Sequence, residues 1–554
     1  MSGANAAFDA LVVAYYQAWF RYHPERAVDV GIDGYAGLLR PYDDDEVGAL
    51  VALNEKLLAE LETLDTRELD ADRLIDLKVL EGAAHIEICE LRESDWRRHD
   101  PGQFLPVDAV HQLFLKPVKG FAKALRSRLE QIPAYLRGAR SHLLETPELI
   151  PVLWVESAHH TARAGADYIR SLEHHPKVLH EVGRVESLHA LIEPAAQALL
   201  EFSHFLEAEL GPRCEGDFAC GRIHFDRLLH QRHFLDVDAD MLHGFGRQLF
   251  ETTERNLRDV TLELSGQADP GVLLARIQED QPAEGGLVEA YRQAMEAAHE
   301  FVVAHDLVSL PPAQELRVME TPEFLQHQIP FAAYVEPAAN DPDQVGYYYV
   351  TPPHDDAGLL AEHHRLGIAH TGVHEAWPGH HLQFVTAHQT RASRSLPRLL
   401  NPSATLYEGW ALYCESLMHE QGFLDRPESR FLLLRDRLWR ALRILIDVGL
   451  HTRGLPLDVA AERMVESLGF SYSQAMGDLT WYSMAPTVPM GYATGWALVN
   501  AARDRLRLQP DFRLKAFHDG LLSSGSIALP LVVQRQFGEK TWQSARNMIF
   551  PATA

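Results

Sequence analysis

His374-Glu375-Ala376-Trp377-Pro378-Gly379-His380-His381 is the stretch on which the reading of this chain turns. It begins like the zinc-binding His-Glu-x-x-His helix, in which two histidines four apart on one face hold the metal and the Glu between them activates a water. Here the fourth position after His374 is Pro378. On an unbroken helix, His374 and His380 would lie ~9 Å apart along the axis and on different faces. Zinc holds each nitrogen at ~2.1 Å, so an ideal helix cannot join the two. His381 shares the face of His374 but sits about two turns away. Pro378 lacks the N–H that would bond the His374 carbonyl, and its ring clashes there. It also drives Trp377 from helical angles, while Gly379 tolerates angles other residues avoid. The spacing therefore predicts a helix that breaks between Ala376 and Gly379 and swings His380 back beside His374. One alternative stays open. His370 and His374 are four apart on a plain helix, the correct ligand spacing, but that pairing leaves Glu375 after the second ligand.

Seven histidines fall between His363 and His388 (His363, His364, His370, His374, His380, His381 and His388), about five times the density of the chain, which has 30 in 554. A zinc site with two histidines needs a third protein ligand and keeps one position for water. Downstream, Asn401-Pro402 offers a break before Leu406-Tyr407-Glu408-Gly409-Trp410-Ala411-Leu412-Tyr413-Cys414-Glu415. A carboxylate in so apolar and aromatic a stretch is costly to bury unless paired or metal-bound, which makes Glu408 the candidate third ligand. Glu415 follows seven residues later on the same face.

Most of the chain has apolar residues at three- and four-residue spacing, which predicts helices over 45–64, 118–145, 182–210 and 427–450. Three short runs differ: 316–321, 331–335 and 346–350 are rich in β-branched or aromatic residues and bounded by Pro, Asn and Asp. They predict a small antiparallel sheet just before the His-Glu segment, whose edge would offer backbone groups to an extended peptide. Asp447 and His451, four apart on a helix that also carries Arg443, suit a network behind the metal or a substrate carboxylate, which arginine binds bidentately. Tyr492 is a candidate for stabilising an oxyanion.

Fifty-one basic residues against 78 acidic ones leave a formal net charge of −27. Such a field repels nucleic acid and anionic membrane, so neither is an expected partner. The four cysteines, Cys89, Cys214, Cys220 and Cys414, form no Cys-x-x-Cys pair and no disulfide framework. No signal-peptide pattern and no long apolar run is seen, so the expected location is cytoplasmic.

With these residues in view, His374 to Gln383 and Glu408 to Tyr413 together resemble the bacterial family called domain of unknown function 885. Pro24-Glu25-Arg26-Ala27 with Gly31, Asp447 to His451, and Ser523 to Pro530 resemble its other signatures. The likeness covers nearly the whole chain. It implies one family-sized unit, 1–554, within which the sequence itself suggests a weak subdivision into an N-terminal helical half, 1–310, and a catalytic half, 311–554. That family looks similar in fold to the carboxypeptidase Taq family of zinc metallopeptidases. The resemblance implies a mainly α, zincin-like fold with the small sheet beside an active-site cleft. Carried over by position, it makes His374, His380 and Glu408 ligands of one zinc ion and Glu375 the base. Tyr492 joins Glu375 as a catalytic candidate, and His370, His381, Arg443, Asp447 and His451 are candidates for substrate contact or support. The function expected is zinc-dependent, carboxypeptidase-like hydrolysis of a peptide. The alternatives are a hydrolase of a non-peptide amide and a non-catalytic helical protein that keeps the fold.

Overall fold

A computed structural model describes residues 3–551, except 183–185, 323–325, 327–328, 330 and 355. Helices dominate, as the apolar spacing requires. The four expected ones appear as Asp44–Glu62, Phe121–Leu143, Glu186–Phe205 continued by a π turn at Leu206–Leu210, and Pro427–Thr452. Residues 183–185, inside the third expectation, lie outside the described set. No described helix is long and apolar enough to cross a membrane.

The chain forms two compact units. The first comprises Met1–Phe218 with the short segments Pro322–Gln328 and Ala338–Asp341; the second is the remainder. In the first, Leu125, Leu129, Ile132, Leu136, Ala139 and Leu143 recur every three or four residues on Phe121–Leu143 and are all buried. They pack with Ile169 of Val152–Ser171 and with Ile192, Leu199 and Phe202 of Glu186–Phe205. Each fully buried Leu or Ile stabilises by roughly 1.5–3 kcal/mol, which makes this core the source of the unit's stability.

In the second unit, six helices surround the site: α1 (Leu287–Ala304), α2 (Arg365–Glu375), α3 (His380–Ala387), α4 (Ala404–Glu420), α5 (Pro427–Thr452) and α6 (Gly491–Arg507). The expected subdivision at 310 falls inside this unit. The helix Ala239–Ser265 packs along α5, and a Cβ on its Gly246 would meet Ile444 Cγ2 at 2.7 Å. Residues on both sides of 310 thus share one core. Helix α5 is buried on every side from Ala441 to His451, as a helix through the middle of a unit must be.

Three strands form the sheet: β1 (Glu315–Glu320), β2 (Ala332–Val335) and β3 (Val345–Val350), in the order β1-β3-β2. The expectation of an antiparallel sheet needs correction, because the sheet is mixed. β2 and β3 are antiparallel, Ala332 opposite Val350, as a short connection dictates. β1 lies on the far side of β3 and runs parallel to it, Glu315 opposite Val345. A longer crossing connection separates β1 from its partner, which permits the parallel arrangement. β1 is left as an edge strand.

Candidate metal centre

Helix α2 ends at Glu375, with Ala376 as its cap, and α3 begins at His380 behind Gly379. The break is built by hydrogen bonds that close back on the end of α2: Ala376 N and Trp377 N both donate to Gly372 O, and Gly379 N donates to Val373 O. The Trp377–Pro378 peptide is cis. Gly379 is required by space. A Cβ there would lie 1.8 Å from His374 O and 2.4 Å from Val373 O. Trp410 of α4 pins the break from outside, its Nε1 donating to Pro378 O at 2.8 Å.

The break brings the two histidines together. Their ring centroids are 4.9 Å apart, where an unbroken helix would hold them ~9 Å apart along its axis. Glu408, in the second turn of α4, completes the group, and one donor atom from each of the three lies within 4.8 Å of the others. Helix α4 can approach this closely because it crosses α6 at a pair of glycines. A Cβ on Gly409 would stand 2.6 Å from Gly495 Cα, and one on Gly495 would stand 2.1 Å from Thr405 O.

These residues fit a zinc ion on spacing as well as donor type. Bonds of 2.0–2.1 Å at tetrahedral angles separate ligand atoms by roughly 3.3–3.4 Å. Glu408 Oε2 is 3.3 Å from His380 Nε2 and 3.7 Å from His374 Nε2. Glu408 Oε2 is buried, and the groups that face it are these two imidazole nitrogens; a buried carboxylate of this kind is held by charged imidazoles or by a cation shared with them. His374 Nδ1 is held by Glu415 Oε1 at 2.7 Å, which fixes the ring and leaves Nε2 facing the centre, as carboxylate–histidine–zinc triads do. Burial works against charge on His374, but the Glu408 and Glu415 carboxylates outweigh it and raise its pKa to about 10. Burial likewise opposes charge on Glu408, and the two imidazoles overcome it and hold its carboxyl well below the usual range.

Glu375 is the last residue of α2 and is half-buried. Its negative charge reaches His374 and the buried hydroxyls of Tyr291, Tyr334 and Tyr348. Tyr492 lies in the first turn of α6. Burial, and then the neighbouring Glu408 carboxylate, push its hydroxyl well up. Arg443 stacks on the Tyr492 ring at 4.5 Å and on Trp439 at 4.3 Å, and its Nε donates to Tyr482 Oη at 2.7 Å. Its guanidinium therefore braces Tyr492. Asp447 accepts from Thr487 N and Met490 N, both at 3.2 Å, and so fixes the turn that leads into Tyr492. Burial pushes the Asp447 carboxyl up to about 8 against those two bonds. His451 lies 3.9 Å from Asp447 and contacts Tyr482 O at 3.0 Å.

Two of the candidate histidines stand apart from this centre. His381 is buried between Tyr334 Oη, at 3.1 Å, and Gln314 Oε1, at 2.9 Å, which ties α3 to the strand region. Burial, aided by His299, lowers its pKa to about 3. His370, the alternative partner for His374, turns to Glu415 and Asp436 instead. The sequence places Glu415 on the face of Glu408 and Trp410 within the Glu408 to Tyr413 motif but assigns neither a role, and nothing local marks Asp436.

Three comparisons with known proteins bear on this geometry. A family model described as "Bacterial protein of unknown function (DUF885)" matches residues 24–535, so the chain belongs to that family. No curated protein matches it. Two solved structures share the fold. One is titled "a putative lipoprotein of unknown function" from Shewanella oneidensis, with a TM-score of 0.77, 20% identity, and coverage of 96% of this chain and 99% of that one. The other, "the putative lipoprotein from Colwellia psychrerythraea", has a TM-score of 0.77, 18% identity, and coverage of 97% and 99%. These descriptions overturn the expectation of a cytoplasmic protein.

Proposed function

We propose that this member of the bacterial family of unknown function is a zinc-dependent hydrolase of peptide bonds, zincin-like in its centre and carboxypeptidase-like in its cleavage. The observation that carries the reading is the convergence of His374, His380 and Glu408 at the spacing of a tetrahedral ion, beside a half-buried Glu375. Held by His374, His380 and Glu408, zinc would supply Lewis-acid polarisation of a carbonyl and acidification of a water. Glu375, at the end of α2, would be the group that accepts a proton and passes it to the leaving amine. Glu415 keeps the His374 ring in its ligand orientation. Tyr492, kept protonated by burial, donates to the oxygen on which negative charge develops.

The peptide reading is supported by a cavity of about 320 Å³ beside the break. It is lined by Glu315, Leu316 and Val318 of the edge strand β1, by Met295 and His299 of α1, and by Trp377. An extended chain lying there would find the unpaired backbone groups of an edge strand on one wall. The test is metal analysis of purified full-length protein, together with a peptide library read by mass spectrometry. Loss of one equivalent of zinc in His380→Ala, and cleavage lost in Glu375→Gln with metal retained, are the expected results. Removal of single C-terminal residues would establish carboxypeptidase action. Cleavage of amide metabolites but no peptide would replace the substrate, and wild-type metal content in His380→Ala would end the reading.

A further inference from the structure

We propose a second divalent-cation site, formed by His370, Glu415 and Asp436. These residues come from three helices of the second unit, α2, α4 and α5, and one donor atom from each lies within 4.8 Å of the others. A clustering of carboxylates alone would say little. The independent observation is His370. It is 4% exposed, and neither of its ring nitrogens has a hydrogen-bond partner. Every neutral imidazole carries one donor and one acceptor, and buried polar groups of that kind are almost always satisfied. Glu415, of the same cluster, has a buried carboxylate oxygen, Oε2, likewise without a hydrogen-bond partner. Two orphaned donor groups from different helices thus share one small space.

The donor set defines the ligand. One imidazole and two carboxylates suit a first-row divalent ion such as zinc or manganese, and the nitrogen donor argues against calcium or magnesium. The two carboxylates would balance the charge of such an ion. Arg440 Nη1 stands 3.4 Å from Asp436 Oδ1 without a hydrogen bond, an ion pair with which a bound ion would compete. Arg437 acts electrostatically on Glu415 and His419 on His370.

Glu415 connects the two centres. Its Oε1 holds His374 Nδ1 at 2.7 Å, and the same carboxylate groups with His370 and Asp436. An ion bound at the second site would fix this carboxylate and, through it, the orientation of His374. It acts as a positioning ion, and the assignment does not rest on the hydrolase reading.

The test is metal stoichiometry on the full-length chain, stripped with a chelator and equilibrated against zinc and, separately, manganese. The wild type is expected to retain two equivalents of zinc. Asp436→Asn and His370→Gln are each expected to retain one, and His380→Ala to retain the other one. Cobalt substitution adds a spectroscopic check, because the visible bands lost in Asp436→Asn are those kept in His380→Ala. Circular dichroism establishes that each variant is folded, and the near-isosteric Asp436→Asn keeps the question open to test if His370→Gln does not fold. A single wild-type equivalent that survives Asp436→Asn and His370→Gln but not His380→Ala, or wild-type stoichiometry in both Asp436→Asn and His370→Gln, would overturn the second site. A single wild-type equivalent that survives His380→Ala but not Asp436→Asn would keep this site and remove the first.

Discussion

Two groups of metal-capable side chains use the same pair of helices in different ways. His370 and His374 are one turn apart on α2, and Glu408 and Glu415 are two turns apart on α4. The first group, His374, His380 and Glu408, exists only because α2 ends and the chain folds back. The second, His370, Glu415 and Asp436, needs no irregular backbone and is assembled by three regular helices packed side by side. A centre built on a break concentrates its demands in a few residues, whereas one built on helix faces spreads them over the packing of a whole unit. Local substitutions should therefore destroy the first and spare the second.

The largest such effect is expected at Gly379. Alanine there would place a carbon 1.8 Å from His374 O, which no side-chain movement relieves because the obstacle is backbone. The α2–α3 turn must open, at a cost of roughly 4 kcal/mol or more, a range reserved for severe local disruption. Gly379→Ala is expected to lose metal from the first centre completely and to unfold at lower denaturant concentration. Retention of metal on the His370 side would support the comparison. Loss of both centres together would show that they share one scaffold.

Glu375→Gln leaves the break and all ligands intact. It removes only the proton acceptor, so turnover is expected to fall by about 10²–10⁴-fold with metal content unchanged. Unaltered turnover would remove Glu375 from the chemistry. Glu415→Gln is milder and tests the link between the centres. Removing the carboxylate that orients His374 is expected to weaken metal binding at the first centre by about 10–100-fold, as measured by competition with a chromophoric chelator.

The contrast also explains what could be read in advance. A break leaves a local signature, because Pro378 and Gly379 are the residue types that a broken helix requires. The position of the break and the closeness of His374 to His380 followed from those two residues. The mainly helical fold followed from apolar spacing in the same way. What could not be read depended on packing between distant segments. Asp436 reaches Glu415 only because α5 lies against α4. Trp410 reaches Pro378 O across 32 positions. The parallel pairing of β1 with β3 likewise depends on the course of the connecting chain, which strand patterns do not encode.

The last expected effect is on stability and concerns the helix that serves both centres. Helix α4 supplies Glu408 to one and Glu415 to the other, and two buried histidines secure it. His518 Nδ1 lies 2.6 Å from Leu307 O, an acceptor, so Nδ1 carries the proton and Nε2 accepts from Tyr413 Oη at 2.8 Å. His233 lies 2.8 Å from Ser403 Oγ, at the cap of α4, and 3.0 Å from Thr487 Oγ1. Burial lowers His518 to about 4, and burial with Arg232 nearby lowers His233 to about 3. In the unfolded chain both would titrate near 6.5. Between those values the unfolded state binds more protons than the folded one, so stability rises with pH there and is lost as pH falls below 6.5. The loss is roughly 2 kcal/mol per histidine by pH 5, with no further gain from these groups above about pH 7. Chemical denaturation at pH 7.5, 6 and 5 would measure it. His518→Gln, which cannot acquire the charge, is expected to flatten part of the slope. A slope identical to that of the wild type would mean that acid acts elsewhere than at His518.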